Sequence, residues 1–217
     1  MANLSTERRL TGGYNGHHHT LVDHRPGGRP VAFAADPSAW LAVDIEPVQR
    51  HHAYEAIGRL ESHVASETHR LNLPAAAVLR SCDDRHVAAV LALPGGHRAF
   101  ASLARTWEDP GSLSLCLVTA VAGLPELDPA SHTAIAVERF ELSATRTESV
   151  LPLTATARGF VGAAILGAED GKRAFALYRF EYRSDLDDFR SDAAVVALLG
   201  PPALSRYHIV KTYSKTE

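Results

Sequence analysis

The stretch ILGAEDGKRAFALYRFEY, residues 165–182, decides the fold, because it has the pattern of two strands joined by a tight turn. An apolar run leads into a Glu-Asp-Gly turn, where glycine tolerates a positive φ and aspartate can bond its own backbone. An aromatic-rich strand follows the turn. The stretch VLRSCDDRHVAAVLAL, residues 78–93, has the same pattern 87 positions earlier. The hairpin is therefore repeated, and an internal repeat governs the whole fold prediction.

Each hairpin lies between further elements that also repeat. The first copy is predicted to consist of a strand, a helix, the hairpin, a second helix and a closing strand, at residues 40–46, 51–71, 78–93, 95–109 and 113–123. The second copy has the same order, with a first helix interrupted by Pro152, at residues 133–142, 144–157, 161–180, 184–200 and 205–214. The order β-α-β-β-α-β in each copy is the ferredoxin-like motif.

We therefore predict an α+β fold of two tandem ferredoxin-like repeats. An irregular segment rich in glycine and proline comes first, a proline-containing linker joins the repeats, and the four parts are residues 1–38, 39–123, 124–131 and 132–217. A four-stranded sheet with both helices on one side leaves its other apolar face uncovered. Two such sheets can cover each other as a barrel-like pseudo-dimer, the architecture of a dimeric α/β-barrel, with a ligand cavity expected between them.

Composition excludes several classes of protein. The 217 residues are 46% hydrophobic and 22% charged, which is typical of a soluble globular chain. A net charge of −3 offers no basic surface for nucleic acid or anionic membrane. Cys82 and Cys116 lack metal-ligand spacing, so no metal site is expected. The chain has neither a bilayer-spanning apolar run nor a signal-peptide centre, which favours a cytoplasmic location.

Two segments of the second repeat resemble a known family. FALYRFEYRSDLDDFRSD (175–192) and YHIVKTYS (207–214) are similar to the strand-to-helix segment and closing strand of the antibiotic-biosynthesis monooxygenase family, in the dimeric α/β-barrel superfamily. The likeness covers residues 39–215. The chain departs from the family at Tyr182, where many members have Trp, and at Arg190 or Ser191, where they have His.

The tandem form with a histidine-rich front segment is similar to the oxygenases that open an angucycline ring in the jadomycin, gilvocarcin and kinamycin pathways. This resemblance implies an oxygenase that tailors an aromatic polyketide with O2, by ring oxidation or C–C cleavage. It also implies reduced flavin (FADH2 or FMNH2) from a partner flavin reductase, although no GxGxxG loop supports tight dinucleotide binding. The expected ligand is a polycyclic aromatic small molecule, and a homodimer is a further expected assembly.

Oxidation of an electron-rich phenol needs a base, donors for the phenolate and a dry apolar wall. The segment GYNGHHHTLVDH (13–24) is expected to lie over the barrel mouth as a lid, with a disordered leader, a fortuitous histidine run and a weak metal-binding tract as alternatives. The candidate catalytic residues are His17, His18, His19, His51 and Tyr178. The candidate substrate-binding residues are Tyr14, Asn15, His24, Trp40, Arg179, Tyr182 and Tyr207.

Several alternatives stay open at the level of sequence. Asp44 and Glu46 share one face of their strand. If that face points inward, their buried charges need partners or ligands; if it points outward, it is a solvated edge. His63 is expected near the outer face of its helix, and Trp107 is expected in the core. The alternative functions are a non-oxidative polyketide cyclase or binding protein, and a haem protein of the chlorite-dismutase type with a histidine axial ligand.

Overall fold

The computed structural model describes residues 27–33, 38–123, 126–129, 133–141, 144–199 and 205–215. The strands are β1 (Val31–Ala32), β2 (Trp40–Pro47), β3 (Ala76–Ser81), β4 (His86–Ala92), β5 (Ser114–Gly123), β6 (Glu126–Leu127), β7 (Ala134–Glu141), β8 (Phe160–Ala168), β9 (Arg173–Phe180) and β10 (Ser205–Tyr213). The helices are α1 (Ala53–Leu71), α2 (His97–Ala104), α3 (Ala144–Ala155), α4 (Arg183–Ser191) and α5 (Ala193–Leu199), and a 3₁₀ turn (Arg50–His52) precedes α1.

Eight strands close into a barrel in the order β10-β3-β4-β2-β5-β8-β9-β7, and every neighbouring pair is antiparallel. Within each β-α-β-β-α-β unit the strand order is that of the ferredoxin-like motif. The units are joined by their closing strands, because β5 pairs with β8 of the second unit and β10 pairs with β3 of the first. The predicted α+β barrel of two ferredoxin-like units is confirmed.

The two hairpin turns share their chemistry as well as their position. Asp84 and Gly171, which are 87 positions apart, both have a positive φ, 59° and 65°. The preceding aspartates also correspond, since the Asp83 carboxylate accepts the Arg85 backbone N–H at 3.1 Å and Asp170 accepts that of Lys172 at 2.9 Å. These hydrogen bonds stabilise the carboxylate form, and the pKa of Asp170 is lowered to about 2. The repeat detected in the sequence is therefore a repeat of turn geometry.

The barrel interior is a packed apolar core over most of its length, where a ligand cavity was expected between the sheets. Alternate residues of β2, Leu41 and Val43, point into the barrel and are almost fully buried. An eight-stranded barrel is just wide enough for side chains to fill. Aliphatic residues of all eight strands meet there with Phe175 and Tyr207.

One end of the barrel is closed by the segments that precede and join the repeats. β1 and β6 pair with each other, with Val31 opposite Leu127, and both side chains are buried in the barrel core with Phe33. The linker between the repeats, for which no strand was predicted, thus contains β6. A strand of two residues is too short to show a periodic pattern in the sequence. Its formation depends instead on the burial of Leu127 against the barrel core.

The helices pack on the outside of the barrel. Ile57, Leu60 and Val64 of α1 cover the first unit, and Leu186 and Phe189 of α4 cover the second. The predicted helix at 184–200 is divided into α4 and α5 at Asp192, whose carboxylate accepts the Ala194 backbone N–H at 2.8 Å as an N-terminal cap. None of the described helices combines the length and the apolar character that a bilayer crossing requires.

Replacing Phe33, which is 2% exposed, by alanine should destabilise the protein by about 3–5 kcal/mol, because the cavity left in the barrel end cannot fully collapse. Urea unfolding measures the change. Phe33→Leu is the matched control and should cost less, since it keeps most of the buried volume. An unchanged unfolding free energy in Phe33→Ala would show that the segment of β1 and Phe33 is not part of the cooperative core.

Candidate functional site

Strand β2 presents a polar face to the helices of the first unit. Val43 and Ile45 point into the barrel, so Asp44 and Glu46 point outward. The outward face is nevertheless not a solvated edge, because α1 and the loop after α2 cover it, and Asp44 is only 3% exposed. Its carboxylate is thus a buried charge that needs a partner or a ligand.

A cavity of about 490 Å³ lies between β2, α1 and the loop that follows α2, and we call it the β2–α1 cavity. Its volume is within the range of small-molecule binding sites. Its walls include Asp44, Glu46, Leu60, His63, Trp107 and Ser112.

Asp44 and His63 are the chemically unsatisfied groups in this cavity. The Trp107 indole N–H donates to Asp44 Oδ2 at 2.9 Å, while Asp44 Oδ1 is buried without a hydrogen-bond partner in the described part of the chain. His63 Nε2 is likewise buried and unpartnered there, and its ring meets the edge of Trp107 at a centroid distance of 4.5 Å. Unpaired buried polar atoms cost free energy, and two of them border this cavity, which makes it the candidate functional site.

Burial raises the pKa of the Asp44 carboxyl above its ordinary value. The nearby Ser112 hydroxyl and the Trp107 indole oppose this rise in pKa by favouring the charged form, and the nearby Asp109 carboxylate adds to it. A carboxylate with a raised pKa is a stronger base than an exposed one and suits proton abstraction.

Arg59 holds the rim of the cavity together. Its guanidinium lies 3.0 Å from a carboxylate oxygen of Glu46 on β2 and 3.0 Å from one of Glu108 in the loop after α2. These side chains are partly exposed, so each pair contributes little to stability. Their effect is geometric, because one arginine on α1 links the strand and the loop that face each other across the cavity.

The second unit has a different arrangement at the corresponding place. Glu138, the fifth residue of β7 as Asp44 is of β2, is 2% exposed and accepts a hydrogen bond from Arg190 Nη2 at 2.7 Å. Burial raises the pKa of Glu138, and the Arg190 charge opposes that rise. Tyr178 lies fully buried beside this pair, and its pKa is also raised by burial. The arginine side chain thus balances the buried carboxylate in the second unit, whereas the first unit keeps a cavity.

Among the sequence-predicted site residues, those in the described part of the chain do not line the β2–α1 cavity. Tyr14, Asn15, His17, His18, His19 and His24 lie outside the described residues, as does the expected lid. His51 lies in the exposed 3₁₀ turn, with its ring 4.2 Å from that of His52, and Tyr182 is 65% exposed. Tyr178 faces the helices of the second unit.

The remaining three predicted residues, Trp40, Arg179 and Tyr207, make structural contacts elsewhere in the fold. Trp40 lies on the outer face of β2, with its ring centroid 4.7 Å from that of His97. Arg179 donates hydrogen bonds to the Thr133 hydroxyl and to the Glu126 carbonyl, which ties β9 to β6. Tyr207 is buried inside the barrel, at 3% exposure.

His63 and Trp107 are functional candidates that sequence reasoning did not assign to a site, although the expected burial of Trp107 in the core is confirmed. His63 follows Leu60 by three positions on α1, so the helical period that places Leu60 in the core also turns His63 toward the sheet. That spacing was the available signal. No local pattern links Trp107 to Asp44, because the two residues are 63 positions apart.

Comparison with known proteins identifies the fold. No family model matches the chain, and no curated protein does. Among solved structures, an anthrone oxidase-like protein matches with a TM-score of 0.61 at 14% identity, over 87% of this chain and 97% of the other. A candidate monooxygenase from Fusobacterium nucleatum matches with 0.57 at 9% identity, over 82% and 95%. Another from Lactobacillus acidophilus matches with 0.50 at 4%, over 82% and 97%. These matches span both repeats and show a shared fold.

Replacing Arg190 by methionine should destabilise the protein by about 3–5 kcal/mol, because Glu138 would remain as a buried charge without its cation. The double variant E138L/R190M should recover most of that loss, since an apolar pair of similar volume removes both charges. Urea unfolding of the two variants tests the pair. If the double variant is no more stable than Arg190→Met, the ion pair is not the reason for the loss.

The raised pKa of Asp44 predicts a pH dependence of stability. The folded protein binds the proton of the Asp44 carboxyl more tightly than the unfolded chain does, because the pKa of that carboxyl is near 3.8 in the unfolded chain. Ionisation of Asp44 therefore destabilises the folded protein relative to the unfolded chain as the pH rises above that value. The unfolding free energy of Asp44→Asn, relative to wild type, should therefore increase with pH until Asp44 is fully ionised in the folded protein. Urea unfolding between acid and neutral pH measures this difference.

Asp188→Asn, which removes an exposed carboxylate from α4, is the control for a change in net charge. A difference between Asp44→Asn and wild type that stays constant or decreases over the same pH range would contradict the assignment.

Proposed function

We propose that the protein is an oxygenase that oxidises an electron-rich aromatic polyketide with O2 in the β2–α1 cavity. The observation that carries this proposal is the pair of unpartnered groups, Asp44 Oδ1 and His63 Nε2, in one cavity with the Trp107 indole. The resemblance of the second repeat to antibiotic-biosynthesis monooxygenases supports the reaction class. The anthrone oxidase-like neighbour adds support for a flat aromatic substrate.

The cavity residues divide into three roles. Asp44 or His63 accepts a proton from the substrate, a phenol or an activated ring CH2, and so raises its electron density toward O2. The Trp107 indole lies against the flat face of the ring system, where aromatic contact adds to area burial. Leu60 and Pro47 supply apolar wall that excludes water from the charged substrate.

Ring oxidation needs no further reductant. An activated ring CH2 and one O2 give a ketone and one water, with one oxygen atom in each product. The substrate loses two C–H bonds, and the base returns its proton to the departing oxygen. C–C cleavage by insertion of a single oxygen atom, the alternative outcome, would need two electrons from an external donor, such as the reduced flavin that the resemblance implies, to reduce the second oxygen atom to water.

The β2–α1 cavity does not fit a phosphate-bearing flavin. Asp44, Glu46, Glu108 and Asp109 line it, while Arg59 is the one arginine or lysine among its described lining residues. Such a lining repels a phosphate group. We therefore assign no reaction step to a resident flavin, and a reductase-supplied flavin enters the experiment as an additive.

Replacement of the base should slow turnover by about 10²–10⁴ while substrate binding changes little, because the base acts mainly in the transition state. The variants are Asp44→Asn and His63→Gln, and His69→Gln, an exposed residue of the same helix, is the matched control. Turnover of an anthrone and of an angucycline is followed by O2 uptake, with and without flavin and a flavin reductase, and binding is measured by equilibrium titration.

Labelling with ¹⁸O2 decides between the function classes. The proposed ring oxidation places one labelled oxygen in each product molecule. Product without the label, or O2 uptake equal to that of the reductase alone, would remove the oxygenase and favour a cyclase or binding protein. A Soret band in the purified protein would instead favour the haem alternative.

A further inference from the structure

The inner face of β2 borders a second cavity, which lies at the barrel end opposite the β1–β6 closure. We call it the barrel mouth. Its volume is about 340 Å³, and inward-facing residues at the C-terminal ends of β2 and β7 and the N-terminal ends of β4, β5, β9 and β10 line it. The floor is apolar, formed by Val43, Ile45, Val137 and Phe175.

Basic side chains surround this apolar floor. Arg139 projects from β7 on the same face as the inward Ile135 and Val137, and it forms no hydrogen bond or ion pair with any described residue. Arg173 and His86 occupy equivalent positions in the two repeats, 87 residues apart, as the first residues of β9 and β4. The two arginines at the rim, Arg139 and Arg173, both come from the second repeat, and the first repeat contributes the imidazole of His86.

Arg173 retains hydrogen-bonding capacity. Its Nε lies 2.5 Å from Asp170 Oδ2, and among the described residues neither of its terminal nitrogens has a partner. Glu141 is paired with Arg173 in the β7–β9 register but forms no ion pair with it. The free donors of Arg139 and Arg173 thus exceed the acceptors that the described part of the chain supplies.

We propose that the barrel mouth binds a small organic carboxylate. The guanidinium groups of Arg139 and Arg173 donate to the carboxylate, for which a planar fork of N–H groups is geometrically matched. The apolar body of the ligand packs on Val43, Ile45 and Phe175. A volume near the lower limit of small-molecule sites suits a single-ring or short-chain acid and excludes a polycycle.

This site is distinct from the β2–α1 cavity but adjacent to it, and Pro47 and Ser112 line both. Asp44 and Glu46 face one cavity and Val43 and Ile45 face the other, so these four residues of β2 lie between the two cavities. Their linings differ in charge, since carboxylates prevail in the β2–α1 cavity and arginines at the barrel mouth. The carboxylate site does not rest on the proposed oxygenase activity.

Titration of the full chain with sodium benzoate, followed by calorimetry at constant ionic strength, tests the proposal. Benzoate should bind saturably with one site, and benzamide, its neutral counterpart of the same shape, should bind much more weakly. Arg139→Gln should weaken benzoate binding by about tenfold or more, because one charge-assisted pair of hydrogen bonds is lost. Arg139 is exposed, so this variant is expected to fold.

Arg98→Gln is the matched control, since Arg98 is an exposed arginine of α2 outside the mouth, and it should leave benzoate affinity unchanged. His63→Gln should also leave it unchanged, which separates this site from the β2–α1 cavity. The absence of saturable benzoate binding, equal affinity for benzamide, or equal affinity in Arg139→Gln would overturn the proposal. Competition by inorganic phosphate as strong as that by benzoate would show a general anion site and overturn the carboxylate assignment.

Discussion

Backbone pairing between the two repeats, β5 with β8 and β10 with β3, closes eight strands into one barrel. Each repeat alone would expose the apolar inner face of its sheet and two strand edges. Closure buries both faces against each other and satisfies the edge N–H and C=O groups in the same step. The helices are then restricted to the outside, and β1 and β6 can complete the core at one end.

Closure also makes each strand a wall with two different sides. Along β2 the odd-numbered residues belong to the barrel interior and the even-numbered residues to the layer under α1. A polar residue on the even side is therefore buried by a helix even though it points away from the barrel. This explains how Asp44 can be nearly inaccessible and still border a cavity, while the basic residues at the barrel mouth face a separate one.

The two repeats differ where their sheets meet their helices. Both place a carboxylate at the fifth position of the first strand, but Trp107 is the hydrogen-bond donor in the first unit and Arg190 in the second. An indole N–H leaves the carboxylate charge unbalanced, whereas a guanidinium balances it. The first unit therefore has a buried carboxylate without a countercharge beside open space, and the second has a buried ion pair whose net contribution to stability is small.

The sequence by itself determined the elements whose signals are local: two hairpins 87 positions apart, aspartate turn chemistry in each, and the amphipathic face of α1. From these the order of strands and the need for a partner sheet followed. Tertiary structure decided which face of β2 meets the helices, that Trp107 reaches Asp44, and that β6 closes the barrel. Those contacts join residues far apart in the chain, where no period or spacing links the partners. The alternation of side chains along a strand predicts that one of its faces is buried. Which elements cover that face is determined only by the packing of residues that are distant in the chain.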